Sequence, residues 1–318
     1  MGNLVKKCEN LPVGAIATAV GLATLSNVYF ANGFVSVRFV TMILVMFVWV
    51  GAIIKLTSFT KVFLKEYENV VPASLYGTFT MLTMILGSFV FDYVEWFGRV
   101  IWLIGLGLHT IHLLVFLYRN VIKGVKRDTF VPSWFVTLAG ILVSVVVGVP
   151  MGMPGVLTVL MYYAFGMYII AFPIMIYRIN KHPIPPQFAM TRVILLAPTS
   201  LVFVTYLNVA NTINQAIVFA LYGILFATIV YVSWKLPVFL GKPFNPAGHP
   251  ALTFPTAIAL VATFRMVGFL AGNGNDSLAE WLGHFFGIQL WVTTAIMAYV
   301  GYNFVKIFTN SVKKQENC

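Results

Sequence analysis

Residues 37–59 read VRFVTMILVMFVWVGAIIKLTSF, with no charged side chain between Arg38 and Lys55. A run of this length covers the hydrocarbon core of a bilayer as α-helix, for which about 20 residues suffice. Runs of the same kind continue in both directions. Divided where Pro, Gly, Asn or charge interrupts them, they predict ten spans near 11–30, 37–59, 73–91, 99–118, 131–149, 155–177, 187–207, 214–234, 251–272 and 281–307. The whole chain of 318 residues is 60% hydrophobic and 9% charged, with a mean hydropathy of +0.91. Such a composition suits side chains that face lipid, and it places the protein among all-α integral membrane proteins. The stretch from Met1 to Asn10 is short and polar, and the apolar run after it is too long for a signal h-region, so the first span is expected to be retained.

Charge sets the orientation and narrows the cargo. Sixteen of the 20 Lys and Arg residues fall in the segments that share a side with the N-terminus, Arg38 and Arg99 fall in the opposite loops, and Arg192 and Arg265 lie within spans. Basic residues accumulate on the cytoplasmic side of membrane proteins. One transmembrane domain over 1–318 is therefore expected in the plasma (inner) membrane, with short cytoplasmic tails at about 1–10 and 308–318. The net charge of +11 is spread singly between apolar runs, which argues against a nucleic-acid partner. All nine acidic residues lie outside the spans or at their edges. A cation carrier or proton relay needs carboxylates at depth, so a small anion is the expected partner.

Catalytic chemistry finds little support. Cys8 and Cys318 stand at opposite ends without metal-like spacing, and no Ser-His-Asp set, HExxH or phosphate-cradling Gly loop occurs. No catalytic residue, cofactor or metal ligand is expected. His109 and His112 share one helix face at i, i+3 spacing. Without Cys, Asp or Glu at the same depth they suit helix-to-helix hydrogen bonding better than a metal or haem; a redox subunit built on the pair is a third and weaker functional class.

Pro12, Pro72, Pro132, Pro186 and Pro250 each follow a basic segment near the start of an odd-numbered span, where the first helical turn tolerates Pro. Together with tight links on the other side, they describe five quasi-symmetric helical hairpins. On a helical wheel, span 1 aligns Gly14, Thr18 and Gly21, span 5 aligns Thr137, Ser144 and Gly148, and span 7 aligns Thr191 and Pro198. Faces of so little bulk either let helices pack closely or leave an open lumen, and Pro198 and Pro255 favour kinks.

Three groups of residues carry a resemblance: Leu11-Pro12-Val13-Gly14 running into Gly21-Leu22-Ala23-Thr24-Leu25-Ser26, then Leu196-Ala197-Pro198, then Phe244-Asn245-Pro246 followed by Thr253-Phe254-Pro255. In their order and spacing the chain resembles the tellurite-resistance/dicarboxylate transporter (TehA-like) family, whose plant relatives are the slow-type anion channels of guard cells. The resemblance implies ten helices, odd ones around a central pore and even ones outside, in a homotrimer with one pore per subunit. It also implies that Phe254 occludes the pore. Pore-lining or kink-forming roles are expected for Gly14, Thr18, Gly21, Ser144, Pro198 and Pro255. Arg265 lies 11 residues beyond Phe254, within about 20° of the same helix face and roughly 16 Å further outward, where it could supply an outer anion field, pair with Asp276 or Glu280, or snorkel to the interface. Arg192, early in span 7, is expected to snorkel. An anion channel or channel-like transporter is the leading expectation; the alternative is a proton-coupled secondary carrier for C4-dicarboxylate, tellurite or sulfite.

Overall fold

The computed structural model describes residues 3–316, and side chains from residue 5 to residue 309. Cys318 and the side chains of Lys313 and Lys314 lie outside the described residues. Ten helical stretches are long and apolar enough to cross a membrane: Val13–Ala31, Val35–Ser58, Val70–Phe91, Glu95–Ile122, Trp134–Met151, Pro154–Lys181, Pro186–Val209, Gln215–Leu240, His249–Gly272 and Asp276–Thr309. These are spans 1 to 10 below. They follow the expected order, with ends shifted by a few residues; the helix of span 10 begins at Asp276 and continues to Glu316. Two short helices, Asn3–Cys8 and Thr60–Tyr67, lie before spans 1 and 3.

Burial divides the spans into two classes that alternate along the chain. In the most apolar part of each odd span, 56–83% of residues are buried, against 22–33% in the even spans. Odd spans therefore form the inner layer and even spans the outer one. The outer helices carry large exposed apolar side chains, such as Phe47, Ile170, Trp234 and Trp291, as expected of surface that meets hydrocarbon.

Regularity separates the same two classes. Spans 2, 6, 8 and 10 are continuous α-helices, and span 4 is regular until its last turn, Tyr118–Ile122, which widens to π-helix. Four of the five odd spans are broken. Span 3 divides at Tyr76, span 5 contains 3-10 turns at Gly140–Leu142 and Val149–Met151, and spans 7 and 9 start as 3-10 helix over Pro186–Leu195 and His249–Leu252. Broken backbone at membrane depth is stable only inside protein or along a cavity. Pro198 and Pro255 each occupy the third position of the α-helix that follows the 3-10 segment, before an i to i−4 donor is required.

The hairpin of spans 3 and 4 closes backbone against backbone. A Cβ placed on Gly98 would lie 2.2 Å from the Phe91 nitrogen, and one on Gly87 would lie 2.6 Å from the Trp102 nitrogen. Small residues at such seams allow the close approach that drives helix association where no hydrophobic effect operates between helices. On the face bearing the chain termini, Lys55 is 1% exposed, and its ammonium donates to both carboxylate oxygens of Glu66 at 2.8 and 2.9 Å and to the Leu11 carbonyl at 2.8 Å. This ion pair ties the end of span 2 to helix Thr60–Tyr67.

Candidate functional site

Two cavities lie inside the ring of odd spans, and Phe254 borders both. The outer cavity, on the face opposite the termini, has a volume of about 620 Å³. Its walls are largely apolar, with Val28, Ile85, Val143, Val147, Val204, Ile258 and Val261 contributed by all five odd spans. Polar groups, Asn27, Ser88, Asn208, Arg38 and Arg265, join them towards the mouth. The inner cavity measures about 20 Å³, room for roughly one water. It too is bounded by all five odd spans, through Ala17, Thr78, Phe135, Ala197 and Ala251 among others.

The backbone around Phe254 explains its depth. Asn245 shapes the turn into span 9: its side-chain oxygen accepts from Ala247 N at 2.9 Å, and its own N–H donates to His249 Nδ1 at 3.0 Å. His249 is wholly buried, packed against Phe244 and Tyr299. Span 9 thus begins within protein, so a residue early in the span is already deep. A Cβ on Gly21, at the middle of span 1, would lie 2.8 Å from the Phe254 nitrogen and 2.8 Å from Thr253 Cβ. Phe254 is therefore level with the centre of span 1, and the residue is 6% exposed.

Arg265 borders the outer cavity along with Phe254, on one uninterrupted helix from Thr253 to Gly272. It makes no ion pair with Asp276 or Glu280 among the described residues. A second arginine, which the sequence placed only in an outer loop, joins it. Arg38 lies over the rings of Phe30 and Phe89 at 4.5 and 5.3 Å, donates from Nε to Asn27 Oδ1 at 2.8 Å and pairs with Asp92 at 2.6 Å. No spacing signal singles out Arg38, because its partners come from spans 1 and 3. Asp92 offsets its charge, whereas Arg265 has no carboxylate in ion-pair contact among the described residues.

Of the other expected pore residues, Pro255 borders the inner cavity, whereas Gly14, Thr18, Gly21, Ser144 and Pro198 border neither. At the two glycines the space is filled by a neighbouring segment. A Cβ on Gly14 would meet the Pro246 carbonyl oxygen at 2.2 Å, and Gly21 admits the backbone of span 9. Thr18 donates its hydroxyl to the Gly14 carbonyl at 2.9 Å and Ser144 to Ile141 at 2.6 Å, so neither offers a free donor to an ion. Pro198 is buried at the helix junction of span 7.

His109 and His112 act in packing. His109 Nε2–H donates to the Thr137 carbonyl at 3.0 Å, leaving Nδ1 to accept from Thr80 Oγ1 at 2.6 Å. Tyr67 donates to His112 Nδ1 at 2.8 Å, and His112 Nε2–H donates to Thr137 Oγ1 at 3.0 Å. All four ring nitrogens are engaged, pinning span 4 to spans 3 and 5 and to helix Thr60–Tyr67.

Both cavities are walled by the odd spans and bordered by Phe254, and no carboxylate borders either of them, a lining suited to an anion. Comparison with known families decides the matter: residues 10–301 match the model of the family described as voltage-dependent anion channel. The chain belongs to that family. It is the family that the sequence resemblance indicated, and it includes the TehA-like proteins and the plant slow-type channels. Its members are channels and transporters rather than enzymes, and the general function of this chain is accordingly anion passage across a membrane. No curated protein matches the chain closely enough to serve as a named relative.

Proposed function

We propose that the protein is an anion channel, or channel-like transporter, in which small anions pass along the axis of the odd spans and Phe254 is the gate. The position of Phe254 between a cavity of about 620 Å³ and one of about 20 Å³ carries this reading. An apolar ring across a narrow passage forces an ion to shed water that nothing replaces, which is hydrophobic gating. Arg265 raises the local anion concentration at the outer mouth. Pro255, one residue beyond the gate, and Pro198 in span 7 supply the helix irregularity next to which the ring could rotate.

The positive-inside bias orients the chain with both termini in the cytoplasm of the plasma (inner) membrane, so the wider cavity opens outward. A homotrimer, as the family resemblance implies, would cover part of the apolar faces of the even spans. Proton-coupled carriage is less well supported: the residues bordering the two cavities include no Asp, Glu or His to take the coupled proton.

Phe254→Ala tests the gate. Anion current in a planar bilayer is expected to rise more than tenfold, the result of lowering the barrier by more than about 1.4 kcal/mol. Unchanged current from correctly inserted protein would remove Phe254 from the role.

A further inference from the structure

Away from the axis, on the face that bears the termini, the loop joining spans 4 and 5 meets the loop joining spans 6 and 7, and cations gather where they touch. Arg178, in the last turn of span 6, donates from its two terminal nitrogens to the His182 carbonyl at 3.1 Å and the Arg127 carbonyl at 3.0 Å. Its side chain staples the two loops. Yet Arg178 is only 6% exposed, its Nε–H is buried without a partner, and no carboxylate forms an ion pair with it among the described residues. Arg127 and Arg192 repel its charge, and Asp128 is the acid that attracts it. Lys181 adds a fourth cation beside His182. Burial and the cations Arg127, Arg178 and Lys181 hold the His182 imidazole below its usual range. At neutral pH it thus accepts a hydrogen bond from Arg127.

Four cations facing one carboxylate, with a guanidinium N–H left over, form a cluster that is incomplete without an anion. Arginine forks match the oxygens of a phosphate, and a buried unpaired charge is costly unless such a partner arrives. Position selects the source. Ile174 and Tyr177, on the turn before and beside Arg178, are 51% and 65% exposed on the outer layer of the bundle, and tyrosines favour the boundary between hydrocarbon and headgroups. Basic pockets between helices at that level receive the headgroups of anionic lipids. We propose that Arg127, Arg178, Lys181 and Arg192 form a binding site for the phosphate of an anionic phospholipid on the termini side of the membrane. None of the four borders either cavity, so the site is separate from the anion pathway.

Native mass spectrometry of the full chain, offered phosphatidylglycerol and phosphatidylcholine in equal amounts, tests the site. Arg178→Gln would also remove both interloop hydrogen bonds, so the informative variant is R127Q/K181Q. Both side chains are exposed, and Arg127 accepts from Arg178 through its main chain, which the variant keeps. At roughly fivefold per cation, the two exposed cations together are expected to let the wild type retain phosphatidylglycerol on the order of 25-fold better than phosphatidylcholine. R127Q/K181Q should fall towards parity, while K61Q/K242Q, which removes two other exposed lysines of the same face, should keep the preference. An undiminished preference in R127Q/K181Q would overturn the site. So would millimolar inorganic phosphate raising the melting temperature of the wild type as much as phosphatidylglycerol does, because the ligand would then be a soluble anion.

Discussion

Odd and even spans have similar hydropathy, from 1.5 to 2.2 in one set and from 1.3 to 2.4 in the other, yet they occupy different layers. Apolar content therefore decides that a segment enters the membrane and says little about which side of the bundle it faces. The distinguishing features are hydroxyls and helix breaks. Buried Ser and Thr are concentrated on the odd spans: Thr18, Thr24 and Ser26 on span 1, Thr78, Thr80 and Thr83 on span 3, Thr199, Ser200 and Thr205 on span 7. Most of these hydroxyls donate to a carbonyl three or four residues back, as Thr24 does to Val20 at 2.8 Å and Ser200 to Leu196 at 2.6 Å. The inner helices thus satisfy most of these polar groups themselves, Thr205 being an exception, and line the cavities with mainly apolar side chains. On their outward faces even spans need no such economy with bulk, because lipid fits around any side chain.

This contrast can be broken or sharpened by substitution. The largest difference is expected between two phenylalanines. Phe254→Ala on an inner span should raise anion current more than tenfold, whereas Phe47→Ala, 72% exposed on an outer span, should leave it unchanged. Equal effects on single-channel current would abolish the functional distinction between layers.

Next in size is the ion pair that closes the outer layer near the termini. Glu66→Ala strands the Lys55 ammonium, 1% exposed, with only the Leu11 carbonyl as acceptor. A loss on the order of 3 kcal/mol is expected, below the upper range for a fully enclosed pair because the Glu66 side chain is 35% exposed. Equilibrium unfolding in mixed micelles would measure it, and a loss under about 1 kcal/mol, the scale of surface pairs, would show that water reaches the pair.

The seam between layers should respond less. Gly98→Ala forces a methyl group against the Phe91 backbone and is expected to cost about 1–3 kcal/mol. Gly107→Ala, on the same helix with nothing within 4 Å, should be neutral or slightly stabilising. Comparable melting temperatures for the two variants would mean that the helices separate without penalty.

The smallest effect concerns the field at the outer mouth. In a Phe254→Ala background, Arg265→Ala is expected to lower conductance by about two- to threefold at 10 mM salt and by much less at 1 M, where the screening length falls from about 30 Å to about 3 Å. A reduction that does not vary with salt would assign Arg265 to packing.

Much of this architecture is legible in one dimension. Ten apolar runs, their order, the absence of carboxylates within them and the alternation of Pro-led odd spans are local properties of the chain, since a backbone in hydrocarbon must satisfy its own hydrogen bonds as helix. The register that carries Phe254 and Arg265 to one cavity was legible for the same reason: both belong to one helix of 3.6 residues per turn. Depth was not. It depends on the Asn245 turn entering the bundle, and on contacts between segments far apart in sequence, His249 with Tyr299 and Gly14 with Pro246.

Length, hydropathy and charge act residue by residue, so the chain alone carries ten spans with no acidic side chain at depth, while a passage along them followed only from the family resemblance. Only the tertiary structure decided which small residues pack and which border space, that Arg38 joins Arg265 at the outer mouth, and that Arg178 is left with a buried, unpartnered N–H. Those outcomes depend on how several helices share a limited volume, and no single helix encodes where its neighbours stop.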